Sequence, residues 1–131
     1  MTSIKKMMHK HVCAVCKNTT LGSAVMLMKH AHVSVVPVLE SGELVGVLTI
    51  DEAKGEPPDK KVGDLNLKIL FVEVNDKMEK AAKVMVEENI CRLPVVNCAN
   101  DMKCLGIVNA TEIVRKHKNK NKKRNNNGNG K

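Results

Sequence analysis

Apolar positions along the chain switch between a helical and a strand period, and the same succession occurs twice. Leu21, Ala24, Val25 and Met28 recur at i, i+3, i+4 and i+7, which predicts a helix over about 21–30 with one buried face. Met78, Ala81, Ala82 and Met85 repeat that spacing 57 residues on. Residues 33–52 (VSVVPVLESGELVGVLTIDE) and 90–112 (ICRLPVVNCANDMKCLGIVNATE) follow the two helices. Each holds an apolar run broken by proline (Pro37, Pro94), a polar turn, and a second apolar run opening on glycine (Gly46, Gly106). Each predicts two short strands joined by a turn and leading into a helix. The first turn is expected at 40–43, and three extra residues in the second copy are assigned to the turn at 98–103.

Upstream of each helix lies a further short apolar run, residues 12–16 and 69–74, read as a strand. Asn18, Thr19, Thr20 and, in the second copy, Asp76 offer N-caps. Residues 1–11 are a polar lead-in, paralleled by 62–67. The sequence Glu56-Pro57-Pro58-Asp59 reads as a linker, and residues 110–117 as a closing helix. Strand, helix, strand–turn–strand and short helix thus occur twice. The expected fold is α/β (α+β), two pseudo-symmetric β-α-β-β-α repeats packed sheet to sheet as one globular unit. The repeats are assigned to 1–57 and 58–114, with Val36, Val38, Val45, Val47, Leu93, Val95, Leu105 and Ile107 as candidates for a shared core.

Charge alters this picture only at one end. The 131 residues carry a net charge of +8, but residues 115–131 hold eight Lys/Arg and no acid. The body is neutral, so the basicity belongs to an Asn/Lys-rich tail, read as a solvated, disordered extension. Non-specific nucleic-acid attachment through 115–131, with the body as a dimerising scaffold, is the alternative reading. With no Trp, no Tyr and one Phe (Phe71), the body offers almost nothing for base stacking. No apolar run suits a membrane span, the first residues lack a signal-peptide core, and five Cys is an odd count. A cytoplasmic protein with reduced thiols is expected.

The apolar-Pro-Val elements Val36-Pro37-Val38 and Leu93-Pro94-Val95, with Gly46-Val47-Leu48-Thr49 and its relative Gly106-Ile107-Val108-Asn109, resemble a tandem pair of CBS domains, the Bateman module. The resemblance spans about residues 4–117 and implies a stand-alone regulatory ligand sensor rather than an enzyme. It implies two clefts between the repeats for an adenosine-containing ligand (AMP, ADP, ATP or S-adenosylmethionine), a homodimer associating through its helices, and an unknown regulated partner. Thr49 and Glu52 then hold phosphate or ribose in one cleft, with Asp51 adjacent; Asn109 and Glu112 stand in the other. Both acids are Glu where the family usually has Asp, and Asn109 replaces a hydroxyl. Residues before each proline serve the opposite cleft: Ile90, Cys91 and Arg92 with Glu52, and Val33, Ser34 and Val35 with Glu112. Arg92 is the only arginine before the tail, and its planar fork suits phosphate.

Competing readings stand beside these. Thr49-x-x-Glu52 is also a capping-box sequence, and Arg92 can pair with a surface acid. His9, His11, Cys13 and Cys16 supply metal-ligand chemistry. On a strand, however, residues 9, 11 and 13 share a face while 16 points away, which argues against a metal site. No Gly-rich phosphate loop, nucleophile elbow or paired-acid site is present in the sequence.

Overall fold

The computed structural model describes residues 2–112. The expected tail at 115–131 and the part of the closing helix beyond 112 lie outside the described residues.

The elements are α1 (Ile4–Met7), α2 (Leu21–Ala31), β1 (Val35–Glu40), β2 (Glu43–Thr49), α3 (Ile50–Lys54), β3 (Val72–Glu73), α4 (Met78–Glu88), β4 (Arg92–Cys98) and β5 (Asp101–Asn109). Both long helices follow the predicted apolar spacing. Leu21, Ala24 and Met28 are buried on α2, and Met78, Ala81 and Met85 on α4. Thr20 caps α2 by accepting from the Ser23 amide at 3.2 Å. Asp76 does not cap α4 in the same way. Its carboxylate accepts from the Glu73 amide at 2.8 Å and pairs with Lys80 at 3.4 Å, tightening the turn before the helix. The two helices end alike. His32 and Asn89 adopt left-handed φ of 57° and 54°, and the amides of Val33 and Ile90 return to the Met28 and Met85 carbonyls.

The strands form one mixed five-stranded sheet in the order β1-β2-β5-β4-β3. Each repeat contributes a hairpin, and β2 meets β5 at Glu43 opposite Lys103. The first hairpin turns on Ser41 and Gly42, both at positive φ, the backbone a tight two-residue turn needs. The three extra residues of the second copy are not in its turn. They lengthen the strands: β4 and β5 have 7 and 9 residues against 6 and 7 in β1 and β2, with register shifts after Val95 and Val96. Bulges absorb such extra residues while the polar turn stays short. The run at 12–16 forms only a single parallel bridge, Val15 to Val38, rather than a full strand.

Most of the core lies in two clusters, one under each long helix, while Val47 and Ile107 of the expected shared core are buried outside both. Val36, Val38 and Val45 pack with α2, and Leu93, Val95 and Leu105 with α4, because each repeat's own helix covers one face of its hairpin. Val35 and Val47 in the first hairpin and Val96 and Ile107 in the second are buried outside these clusters, so the opposite faces of both hairpins are also covered.

The repeats exchange their lead-ins. Ile4, fully buried, sits in the α4 cluster, with Met7 and Met8 packed on it. Val62, also fully buried, sits in the α2 cluster with Leu65 and Leu67. The exchanged segments also satisfy helix-end amides. Leu21 and Gly22 donate to the carbonyls of Lys60 and Pro58, and Met78 donates to that of Thr2. They then cross the other repeat's second strand: His9 exchanges backbone hydrogen bonds with Ile107, and Val47 donates to Lys68. These crossings explain two glycines. A Cβ at Gly106 would lie 2.6 Å from the His9 carbonyl oxygen, and one at Gly46 would lie 2.6 Å from Leu67 Cβ.

Candidate functional site

The candidate residues gather where each hairpin runs into its short helix. In the first repeat, Thr49 stands opposite Val35, and the Ile50 amide donates to the Ser34 carbonyl at 2.8 Å. In the second, Asn109 stands opposite Arg92, and the Ala110 amide donates to the Cys91 carbonyl at 2.7 Å. The two junctions touch: Ser34 Oγ and Cys91 Sγ, 57 positions apart, lie 3.5 Å from each other. That contact between equivalent residues marks the pseudo-twofold axis.

Strand alternation orients the junctions. Val36 and Leu48 face the α2 cluster and Leu93 and Val108 the α4 cluster, so Val35, Thr49, Arg92 and Asn109 belong to the opposite faces. Val33 and Ile90 pack against the α2 and α4 clusters respectively, at the start of each segment.

The two junctions differ in their hydrogen bonds. Thr49 and Glu52 form a complete capping box. The Thr49 hydroxyl donates to Glu52 Oε1 at 2.8 Å, the Thr49 amide donates to the same oxygen at 3.1 Å, and the Glu52 amide donates to Thr49 Oγ1 at 3.3 Å. The capping reading is therefore realised, and it fixes the carboxylate at the junction. Asp51 lies exposed in the first turn of α3. At the second junction Asn109 Oδ1 is buried with no hydrogen-bond partner among the described residues. Glu112 Oε1 lies 3.4 Å from His9 Nε2, an ion pair when the ring is protonated. The Arg92 guanidinium has no ion-pair partner among the described residues, so the surface-pairing alternative is not realised there.

The role of His9 was not legible from spacing. It arrives on the exchanged lead-in, and nothing local in the sequence signals that crossing. The His/Cys cluster comes apart for the same reason. His9 joins β5, whereas Cys13 packs against the α2 cluster and Cys16 turns back on Thr19. Among the described residues no three His, Cys, Asp or Glu side chains are grouped as metal ligands would be. The Cys16 thiol is exposed, and its pKa is lowered chiefly by the Thr19 hydroxyl, 3.3 Å away, with help from the Asn18 backbone. Burial pushes the Cys104 thiol the other way. No helix among the described residues is long and apolar enough to cross a membrane.

This architecture has known counterparts. The family model described as CBS domain matches residues 4–55 and again 62–119. A CBS domain-containing protein of Bacillus subtilis, YhcV, is 32% identical over 107 residues, covering 76% of each chain. Other curated relatives are longer: the chain spans 43% of the uncharacterized Methanocaldococcus jannaschii protein MJ0188, at 24% identity over 86% of this chain. Among solved structures, CBSX2 in complex with AMP superposes with a TM-score of 0.75 at 26% identity, covering 89% of this chain and 96% of that one. The CBS domain pair of MJ0100, in complex with 5-methylthioadenosine and S-adenosyl-L-methionine, gives a TM-score of 0.76 at 22% identity, covering 92% and 98%. Two family matches fall on the two repeats, and solved CBS pairs share their interlocked α/β fold: the chain belongs to the CBS domain family, as a tandem pair.

Proposed function

We propose that this chain is a regulatory module, without catalysis of its own, that binds an adenosine-containing ligand between its repeats and signals occupancy to a partner protein. One cleft is built from Thr49, Asp51 and Glu52 with Ile90, Cys91 and Arg92. The other is built from Asn109 and Glu112 with Val33 and Ser34. The observation that carries this reading is the Ser34–Cys91 contact, which brings the start of each hairpin beside the other repeat's strand–helix junction. The first cleft suits a phosphorylated ligand. Arg92 is a guanidinium without an ion-pair partner among the described residues. Thr49 adds a hydroxyl, and the Glu52 carboxylate held in the capping box is an acceptor for ribose hydroxyls. AMP in the CBSX2 complex, at 26% identity, supports the ligand class.

A homodimer in the cytoplasm completes the proposal. Met26 on α2 and Val86 on α4 are 73% and 81% exposed, which suits association through the helices.

Thermal melting with AMP, ADP, ATP and S-adenosylmethionine tests the proposal. A ligand at a hundred times its Kd stabilises by about 2.7 kcal/mol. The shift is expected with at least one of the four, and the part due to the first cleft should be lost in Glu52→Gln, which keeps an oxygen for the capping box but removes the charge. Millimolar ligand without any shift, for all four, would sink the proposal.

A further inference from the structure

Two extended segments tie the repeats together. One leaves β5 at His9, where the His9 amide donates to the Ile107 carbonyl at 2.7 Å and the Ile107 amide donates back at 2.9 Å. It reaches β1 at Val15, whose amide donates to the Pro37 carbonyl at 3.1 Å. The other leaves β2 at Lys68, where the Val47 amide donates to the Lys68 carbonyl at 2.9 Å. It reaches β4 at Val72, which pairs with Val95.

The ties match in path but not in how side chains fasten them. Lys68 Nζ bonds Glu88 Oε1 at 3.2 Å, and Glu88 is the last residue of α4, not a junction acid. His9 Nε2 instead lies 3.4 Å from Glu112 Oε1, in the second junction. The reason lies in the caps. Glu52 is held by Thr49 in its own capping box, whereas Asn109 Oδ1 accepts from no described residue, so the second box is not closed. The Glu112 carboxylate takes its partner from the tie. A molecule that draws the Glu112 side chain toward itself takes it from His9, so the two compete for one group and each weakens the other's hold. Ile4 stays fully buried under α4, which anchors the start of the segment and confines the response to the crossing.

We propose that residues 9–15 form a responsive tie: a ligand that takes Glu112 from His9 loosens the His9–Ile107 crossing, and so carries occupancy of the second junction to β1 of the first repeat. This rests on the reading above that ligands bind between the repeats. It adds the route by which one cleft is felt in the other repeat, and names His9 as the residue that couples them.

Hydrogen exchange of the full chain tests the tie, read at the Ile107 and Val47 amides, one at each crossing. In the unliganded protein His9→Ala and Glu112→Ala should each speed exchange at Ile107 about two- to fivefold, the size that a half-exposed pair supports. The double variant should be no faster than either single one, and Val47 should stay unchanged in all three. An unchanged Ile107 amide, multiplied effects in the double variant, or equal acceleration at Val47 overturns the tie. AMP, ADP, ATP and S-adenosylmethionine then serve as probes. One whose melting shift falls in Glu112→Ala should, in wild type, speed Ile107 exchange to the level of that variant. It should also bind His9→Ala about two- to fivefold more tightly than wild type. Unchanged or slower exchange at Ile107 with that probe bound, or weaker binding to His9→Ala, overturns the coupling while leaving binding between the repeats intact. Melting shifts that never fall in Glu112→Ala overturn it in the same way, and no shift with any probe removes both readings together.

Discussion

Truncating Ile4 to alanine should unsettle the second repeat, not the first. Ile4 precedes the whole first repeat in sequence, yet it is fully buried among Val72, Met78, Leu93, Val95 and Val108. The change removes every side-chain carbon beyond Cβ. At ~0.8 kcal/mol per methylene-sized group the transfer loss is about 2.4 kcal/mol. The cavity left in an interior that relaxes only partly brings the expected cost to about 3–4 kcal/mol. For a domain of this size that lowers the melting midpoint by roughly 10–20 °C. Urea denaturation gives the free energy, and amide hydrogen exchange gives the location. Protection should fall first in α4, β4 and β5, while α2 and β1 keep theirs longer. A loss under about 1 kcal/mol, or a loss of protection confined to residues 12–54, would refute the exchanged lead-ins.

Other consequences follow from the same contacts. Gly106→Ala would place a Cβ 2.6 Å from the His9 carbonyl oxygen, so the crossing must shift; thermal melting should show a loss of about 1–3 kcal/mol, and a neutral outcome would contradict the close approach. Iodoacetamide at pH 7.5 should label Cys16 well before Cys104, because a lowered pKa leaves more reactive thiolate and a raised one leaves less. Thr19→Val should slow labelling at Cys16, and equal rates by peptide mass spectrometry would count against the hydroxyl as the cause. Glu112→Gln should change the stability of the unliganded protein by under about 1 kcal/mol in urea titration, since its contact with His9 is half-exposed.

The repeats, both long helices and the first hairpin turn were legible because their signals are local. Leu21 to Met28 and Met78 to Met85 carry the helical period, and Ser41-Gly42 is turn chemistry. The exchange of lead-ins was not legible. Ile4 and Val62 look like ordinary apolar residues in polar segments, and only long-range pairing reveals whose core they enter. One clue was present: a glycine inside a strand signals a close backbone approach, and Gly46 and Gly106 both lie at the crossings. The run at 12–16 has strand composition but finds a single bridge, so tertiary context overrode propensity. Thr49 and Glu52 could be read as a cap or as a ligand pair; the geometry realises the cap and leaves the carboxylate at the junction. The orphan acceptor on Asn109 depends on burial, which no local motif encodes.

Adenosine-type ligands are proposed to bind at the paired junctions around the Ser34–Cys91 contact. Backbone amide NMR during titration with AMP tests it most directly. Shifts should concentrate at residues 49–52 and 90–92, with the outer face of α2 around Met26 unmoved. Shifts centred on that outer face, or no shifts at millimolar AMP and adenosine, would contradict it.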